Sequence, residues 1–207
     1  MTTSVDYYNN NAQAFFDGTC DVDMSAIYDR FLPLIPTGGT ILDAGCGSGR
    51  DSRVFISKGY AVTAFDASRE LVALARSING VPASVATFTS FSSEQLYDGI
   101  WACASLLHLP RAQLVEAITG LAELLAPKGV FYLSFKRGVH ERLTGGRQFT
   151  DLTDEMFGEL VARIQNLSIR DCWVTEDARI DRSDKWLNAI LEVATIPATQ
   201  QSDTLGT

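Results

Sequence analysis

Three glycines at alternate positions, Gly45, Gly47 and Gly49, follow an acid in the run Asp43-Ala-Gly-Cys-Gly-Ser-Gly49. The run leaves a short apolar stretch, Thr40-Ile41-Leu42, and enters a segment carrying Val54, Phe55 and Ile56. A strand–loop–helix junction of this kind lies at the carboxyl end of a strand, where open parallel sheets bind ligands. Glycine lets the chain turn tightly there and lets a ligand approach with no Cβ in its way. A second acid, Asp66, closes the next apolar stretch, 23 residues beyond Asp43. Its carboxylate can accept two hydrogen bonds from a ribose diol. Together these features predict a nucleoside site.

The spacing separates two kinds of ligand. Dinucleotide folds use G-x-G-x-x-G and turn a helix N-terminus toward a pyrophosphate. Here the pattern is G-x-G-x-G with an acid ahead of it. Asp43 would repel a pyrophosphate but suits the ammonium of an amino acid, and ribose plus a methionine-like zwitterion describes S-adenosylmethionine. Arg50, which opens the following helix, can clamp the methionine carboxylate or stand as an exposed first-turn arginine. Cys46 and Cys103 lie near the expected ligand and read as small hydrophobes rather than nucleophiles. Residues 136–150 hold Lys136, Arg137, Arg142 and Arg147 against a single acid, Glu141. In a chain of net charge −8, such a basic stretch points to an anionic substrate met by Arg142 and Arg147, with Arg179 able to join them. The bland reading is a solvated loop.

The surrounding pattern supplies a scaffold. Met24, Ile27, Tyr28, Phe31 and Leu32 mark a helix face behind Asp23, and Pro33 and Pro36 end it. Strands are predicted at 40–42, 60–65, 83–88, 99–103 and 130–135, with helices after the glycine loop, after Ser68 and from Pro110. Pro127 and Gly129 read as the end of the last of these. Alternation of this type means βαβ units around a parallel sheet. Beyond Phe135 the rhythm changes to a polar loop, a helix through Phe157 and Ile164, and strands at 171–175 and 186–193. Four scattered cysteines and two histidines among 207 residues argue against a zinc site or a disulfide framework, so no metal is expected. The acidic balance argues against nucleic acid as a partner, and no run is long enough for a membrane helix. The start lacks a basic and apolar leader, and a cytoplasmic monomer or homodimer is expected.

Three segments carry a family likeness: Ile41-Leu-Asp-Ala-Gly-Cys-Gly-Ser-Gly-Arg-Asp51, Gly59-Tyr-Ala-Val-Thr-Ala-Phe-Asp-Ala-Ser68 and Tyr97-Asp-Gly-Ile-Trp-Ala-Cys-Ala-Ser-Leu-Leu-His108. They resemble the class I S-adenosylmethionine-dependent methyltransferases, and within them small bacterial members of the tellurite-resistance type. The resemblance is strongest over residues 38–136. It implies an α/β, three-layer, Rossmann-like methyltransferase fold with a seven-stranded, mostly parallel sheet. The antiparallel last strand would be 186–193, within a domain spanning 1–195, and the polar residues 196–207 would form a frayed tail. Cofactor contacts are implied along Asp43, Gly45, Cys46, Gly47, Gly49 and Arg50, at Asp66, Ala67 and Ser68, and near Cys103. Many members place an acid after the third strand to bind adenine; Ala86-Thr87-Phe88-Thr89 has none, which leaves adenine to backbone at Thr87 and to Phe88.

The N-terminal segment of similar enzymes folds over the cofactor. Tyr7, Tyr8, Phe15 and Phe16 could there stabilise a sulfonium by cation–π attraction, or simply pack. His108 falls at the expected rim of the active site, as a general base or as a helix-entry residue that only packs. The activity implied is in-line methyl transfer from S-adenosylmethionine to a small, anionic molecule, driven by alignment and exclusion of water. An RNA or protein methyltransferase and a non-catalytic S-adenosylmethionine-binding protein are the rivals.

Overall fold

The structure, a computed structural model, describes residues 3–179 and 182–194. Its centre is a seven-stranded sheet. In spatial order the strands are β3 (Ala83–Val85), β2 (Ala61–Asp66), β1 (Thr40–Ala44), β4 (Tyr97–Ala102), β5 (Leu125–Lys136), β9 (Lys185–Val193) and β8 (Leu167–Glu176). The first five are mutually parallel, and β9 runs antiparallel to both β5 and β8. The antiparallel last strand therefore lies inside the sheet, one place from the edge. The order reverses between β1 and β4, the place where an open α/β sheet leaves a crevice beyond its carboxyl edge.

Alternation along β1 sorts the two faces. Ile41 joins Phe31, Phe55, Trp101 and Tyr132 in one buried cluster, under α3 (Ser25–Phe31) and α4 (Arg50–Ser57). Leu42 and Ala44 join a larger cluster on the other face, covered by α6 (Arg111–Ala122) and α7 (Asp154–Val161). A third cluster of Ala64, Val72, Ala75, Val81 and Ala83 seats α5 (Arg69–Asn79). Helices on both faces complete three layers. Ser68 caps α5 by accepting the Leu71 N–H at 3.2 Å, as its sequence position predicts.

Five elements, in three places, depart from the sequence expectation. β5 begins at Leu125 and runs through Pro127 and Gly129, residues read as helix punctuation; Leu125 pairs with Tyr97 across an irregular register, so strand pairing absorbs them. The polar loop over 136–150 contains a hairpin, β6 (Glu141–Thr144) and β7 (Arg147–Thr150), turned at Gly145 and Gly146 with φ of +58° and +78°. Two short helices, α1 (Ser4–Asn10) and α2 (Ala12–Asp17), form ahead of the sheet. A Thr3–Asp6 capping box starts α1. The expected tail at 196–207 lies outside the described residues. Among the described residues no helix is long and apolar enough to cross a membrane.

Candidate cofactor and acceptor site

A cavity of about 480 Å³ opens over the carboxyl ends of β1, β2, β4 and β5, with α1, α2, the β6–β7 hairpin and the β8–β9 connection around it. Its floor starts at the glycine loop. Gly45 and Cys46 both donate to Phe65 O at 2.9 Å, which ties the loop to the end of β2. Gly45 and Gly47 have φ of +83° and +53°, where a side chain is unfavourable. A Cβ on Gly45 would stand 2.5 Å from Ser105 Cβ, and one on Gly47 would stand 3.2 Å from Phe15 Cε1. Both glycines line the cavity, and neither has space for a side chain. Gly49 serves packing instead. A Cβ there would meet Ala75 and Val81 at 3.0 Å, so its absence lets α4 settle, and Gly49 does not line the cavity.

Asp66 ends β2 and lines the cavity with Ala67 and Ser68. Its Oδ2 accepts the Gly47 N–H at 2.9 Å and its Oδ1 the Ser68 N–H at 2.8 Å, and each oxygen retains further acceptor capacity. Burial raises its pKa while the backbone donors at Ser68, Gly47 and Ala67 oppose the rise. Thr87 and Phe88 line the wall beyond β3, with Phe88 edge-on to Phe65 at 5.7 Å.

Asp43 and Arg50 differ from expectation. Asp43 faces α4 rather than the cavity, with only 2% of its surface exposed, and accepts the Ser52 hydroxyl at 2.6 Å. Burial first, and then the nearby Asp51 charge, push its carboxyl up to about 8. An ammonium contact at Asp43 is therefore not what this geometry offers. Arg50 lines the cavity, but its guanidinium grips Asp51 at 2.6 and 2.9 Å. Asp51 also accepts Tyr28 O–H at 2.5 Å and Trp101 Nε1–H at 2.8 Å. Each partner satisfies a buried charge, so this network fixes the start of α4 beneath the loop. Its signal in the sequence was the adjacent Arg50-Asp51 pair alone.

Past β4 the chain bends sharply. Ala104 has φ of +50°, a strained value for a residue with a side chain, and its N–H donates to Ser134 Oγ at 2.9 Å. The bend sends Ser105 Oγ back to Ala44 O at 2.7 Å and carries the chain to His108. His108 Nδ1 meets Gln148 O at 2.7 Å and Nε2 meets the Tyr8 hydroxyl at 2.8 Å. Burial pulls the imidazole pKa down to about 4, with Arg147 and Lys136 adding to the effect. Burial raises the Tyr8 phenol, and the Arg147 guanidinium opposes that. Cys103 lines the cavity with its thiol pushed up to about 12, by burial first, and burial raises Cys46 as well. Neither is poised as a nucleophile.

The basic stretch divides. Lys136 pairs with Asp184 at 2.6 Å and Arg137 with Asp154 at 2.8 Å. Arg142 pairs with Asp151 and does not line the cavity, so it is not placed to meet a substrate. Arg147 is the exception. Its guanidinium lies 4.3 Å from the Tyr7 ring centroid and 5.0 Å from that of Phe149, and it lines the cavity. It has no carboxylate partner among the described residues, and its Nε is buried without a hydrogen bond. Arg179 also lines the cavity and pairs with Asp177 at 2.7 Å.

A parallel sheet with one inserted antiparallel strand, a glycine loop at its switch point and an acid ending β2 define a class, and comparison gives the family. Residues 16–166 match the family model described as a methyltransferase domain, and the chain belongs to that family. Its class is therefore that of the methyltransferases. The chain is similar to the ubiquinone biosynthesis O-methyltransferase of Xanthomonas axonopodis pv. citri (strain 306), 34% identical over 108 residues. That match covers 49% of this chain and 44% of the relative, so the chain spans less than half the length of the curated relative it matches. The fold resembles Burkholderia thailandensis 1,6-didemethyltoxoflavin-N1-methyltransferase, solved with 1,6-didemethyltoxoflavin and S-adenosylhomocysteine, at a TM-score of 0.73 and 22% identity. That likeness covers 91% of this chain and 85% of the other. It also resembles the N-methyltransferase NodS of Bradyrhizobium japonicum WM9, at a TM-score of 0.68 and 16% identity, over 90% of this chain and 98% of that one.

Proposed function

We propose that this chain transfers the methyl group of S-adenosylmethionine to a small molecule carrying an anionic group. The observation behind the anion is Arg147. Its guanidinium borders the cavity between aromatic rings, while three other cations of the same stretch are held by carboxylates. A guanidinium partly out of water with an unused donor favours a carboxylate or similar anion.

The residues present fit the cofactor. Gly45 and Gly47 leave room along the loop, Asp66 keeps acceptor sites for a ribose diol, and Thr87, Phe88 and Tyr8 border the same space. The cofactor supplies a methyl group on a positively charged sulfur. What the chain contributes is alignment, an aromatic wall and exclusion of water by α1 and the hairpin. A cytoplasmic monomer or homodimer and kinship with tellurite-resistance-type members belong to the same proposal.

The test is incubation with methyl-labelled S-adenosylmethionine and a panel of small carboxylates and hydroxyarenes. Label should pass to an anionic member, and Arg147→Ala should raise KM for it roughly tenfold, since an ion pair partly removed from water exceeds the exposed-pair range. Arg142→Ala should leave KM unchanged. Equal effects of the two substitutions would remove Arg147 from the acceptor site.

A further inference from the structure

One half-buried pair at the cavity wall, Tyr8 and His108, is joined by a hydrogen bond whose use goes beyond holding the cofactor or the anion. Tyr8 comes from α1, and His108 ends the turn Leu106–His108 after β4. Both line the cavity, and the phenol oxygen stands 2.8 Å from Nε2. On the far side of the ring, Nδ1 stands 2.7 Å from Gln148 O. A carbonyl can only accept, so Nδ1 carries the proton, and a neutral ring then leaves Nε2 to accept the Tyr8 O–H. The phenol oxygen, with the Arg147 guanidinium as one donor beside it, keeps a further acceptor site for a donor in the cavity.

We propose that Tyr8 and His108 form a proton relay in which Tyr8, as the catalytic residue, takes the proton of a neutral acceptor hydroxyl or N–H while passing its own to His108 Nε2. This rests on the reading that the chain methylates a small anionic molecule, and it narrows the substrate class: the charge near Arg147 and the methylated atom are different groups of one molecule. The step balances. The acceptor heteroatom bonds to the methyl carbon as the carbon–sulfur bond breaks, and that electron pair returns to sulfur. The acceptor proton moves to the Tyr8 oxygen, the Tyr8 proton moves to Nε2, and the positive charge lost at sulfur ends on the imidazolium.

The surroundings fit this role. His108 faces Arg147 on β7 and Lys136 on β5, besides Tyr8 on α1, while Tyr8 faces Arg147 first and then Asp66 and Tyr7. The two cations and the burial keep the resting ring unprotonated at neutral pH and make it a weak base, so it takes a proton only as the acceptor turns acidic on bonding to the methyl carbon. α1 is held by Ser68 Oγ donating to Asn9 Oδ1 at 2.8 Å and by the Gln148 N–H donating to Ser4 Oγ at 2.9 Å. The relay is therefore complete only while α1 is seated over the cavity.

Nitrogen-15 NMR of the full chain, saturated with S-adenosylhomocysteine, tests this without turnover. There are two histidines, His108 and His140, and His140→Gln assigns them. Between about pH 5 and pH 8, His108 should show an unprotonated Nε2 and a protonated Nδ1, and Tyr8→Phe should shift the Nε2 resonance. A proton on Nε2, or an imidazolium at pH 7, would overturn the relay. Calorimetry with S-adenosylhomocysteine on the same samples separates the cases: intact binding with the wrong tautomer sinks the relay alone, whereas absent binding sinks the methyltransferase reading too. With an acceptor from the panel, Tyr8→Phe should lower kcat by roughly 10²–10⁴-fold at neutral pH, with KM little changed. The loss should shrink as pH approaches the acceptor's own pKa. A loss equal at every pH would mean that Tyr8 only packs.

Discussion

Asp66 holds the glycine loop through Oδ2 and the start of α5 through Oδ1, and it lines the cavity. Asp66→Ala should weaken S-adenosylhomocysteine binding by about 1.5–3 kcal/mol, the value of charge-assisted hydrogen bonds lost to a ribose. Calorimetry checks it, and unchanged affinity in a folded variant would take Asp66 out of the site. His108 gives a prediction with a definite sign. Its folded pKa of about 4 lies below the ordinary 6.5, so between those values the unfolded chain binds a proton that the native ring refuses. Stability from this residue is therefore present above pH 6.5 and lost as pH falls toward 4, by up to about 3 kcal/mol. Urea melts of wild type and His108→Asn should show a gap that narrows over this window. A gap independent of pH would mean that the ring titrates normally. Asp43 shows how residue type can mislead: the acid before the first glycine promised an ammonium contact, but alternation along β1 turns it toward Ser52.

The loop between β1 and α4 is an element whose shape depends on absent side chains. Gly47→Val should abolish cofactor binding, because a branched side chain at φ +53° is strained and would press on Phe15. Retained binding would reduce the loop to an ordinary turn. The central helices and parallel strands were legible in the sequence because apolar periodicity and punctuation agree there: Ser68 caps α5, and Gly80 closes it at φ +63°. The hairpin was not legible. β6 has no strongly buried face, and its register rests on a Gly145-Gly146 turn within a polar stretch. α1 was equally hidden, since none of its residues is buried and it is held by polar bonds to distant partners. The glycine loop and Asp66 could thus be read directly, whereas the Tyr8–His108 contact, 100 positions apart, depends on how elements dock. The same docking explains why Arg147 and Arg142, neighbours in sequence, part company: one faces the rings of Tyr7 and Phe149, the other pairs with Asp151.

Taken as a molecule, the chain places the residues proposed to face the cofactor on one edge of its sheet. The switch between β1 and β4 makes the crevice, the strands that follow carry the wall, and α1 with the hairpin closes over it. The net charge of −8 makes a long polyanion an unfavourable partner and leaves room for a local cationic contact such as Arg147. Fold and family together point to a nucleoside bearing an amino-acid tail, and the glycine spacing sets that ligand apart from a dinucleotide. Calorimetric titration of the chain with S-adenosylhomocysteine and, separately, with NAD decides between them. S-adenosylhomocysteine should bind with saturable heat that Asp66→Ala weakens, and NAD should give none. Tighter binding of NAD, or S-adenosylhomocysteine binding that ignores Asp66, would contradict the site as assigned.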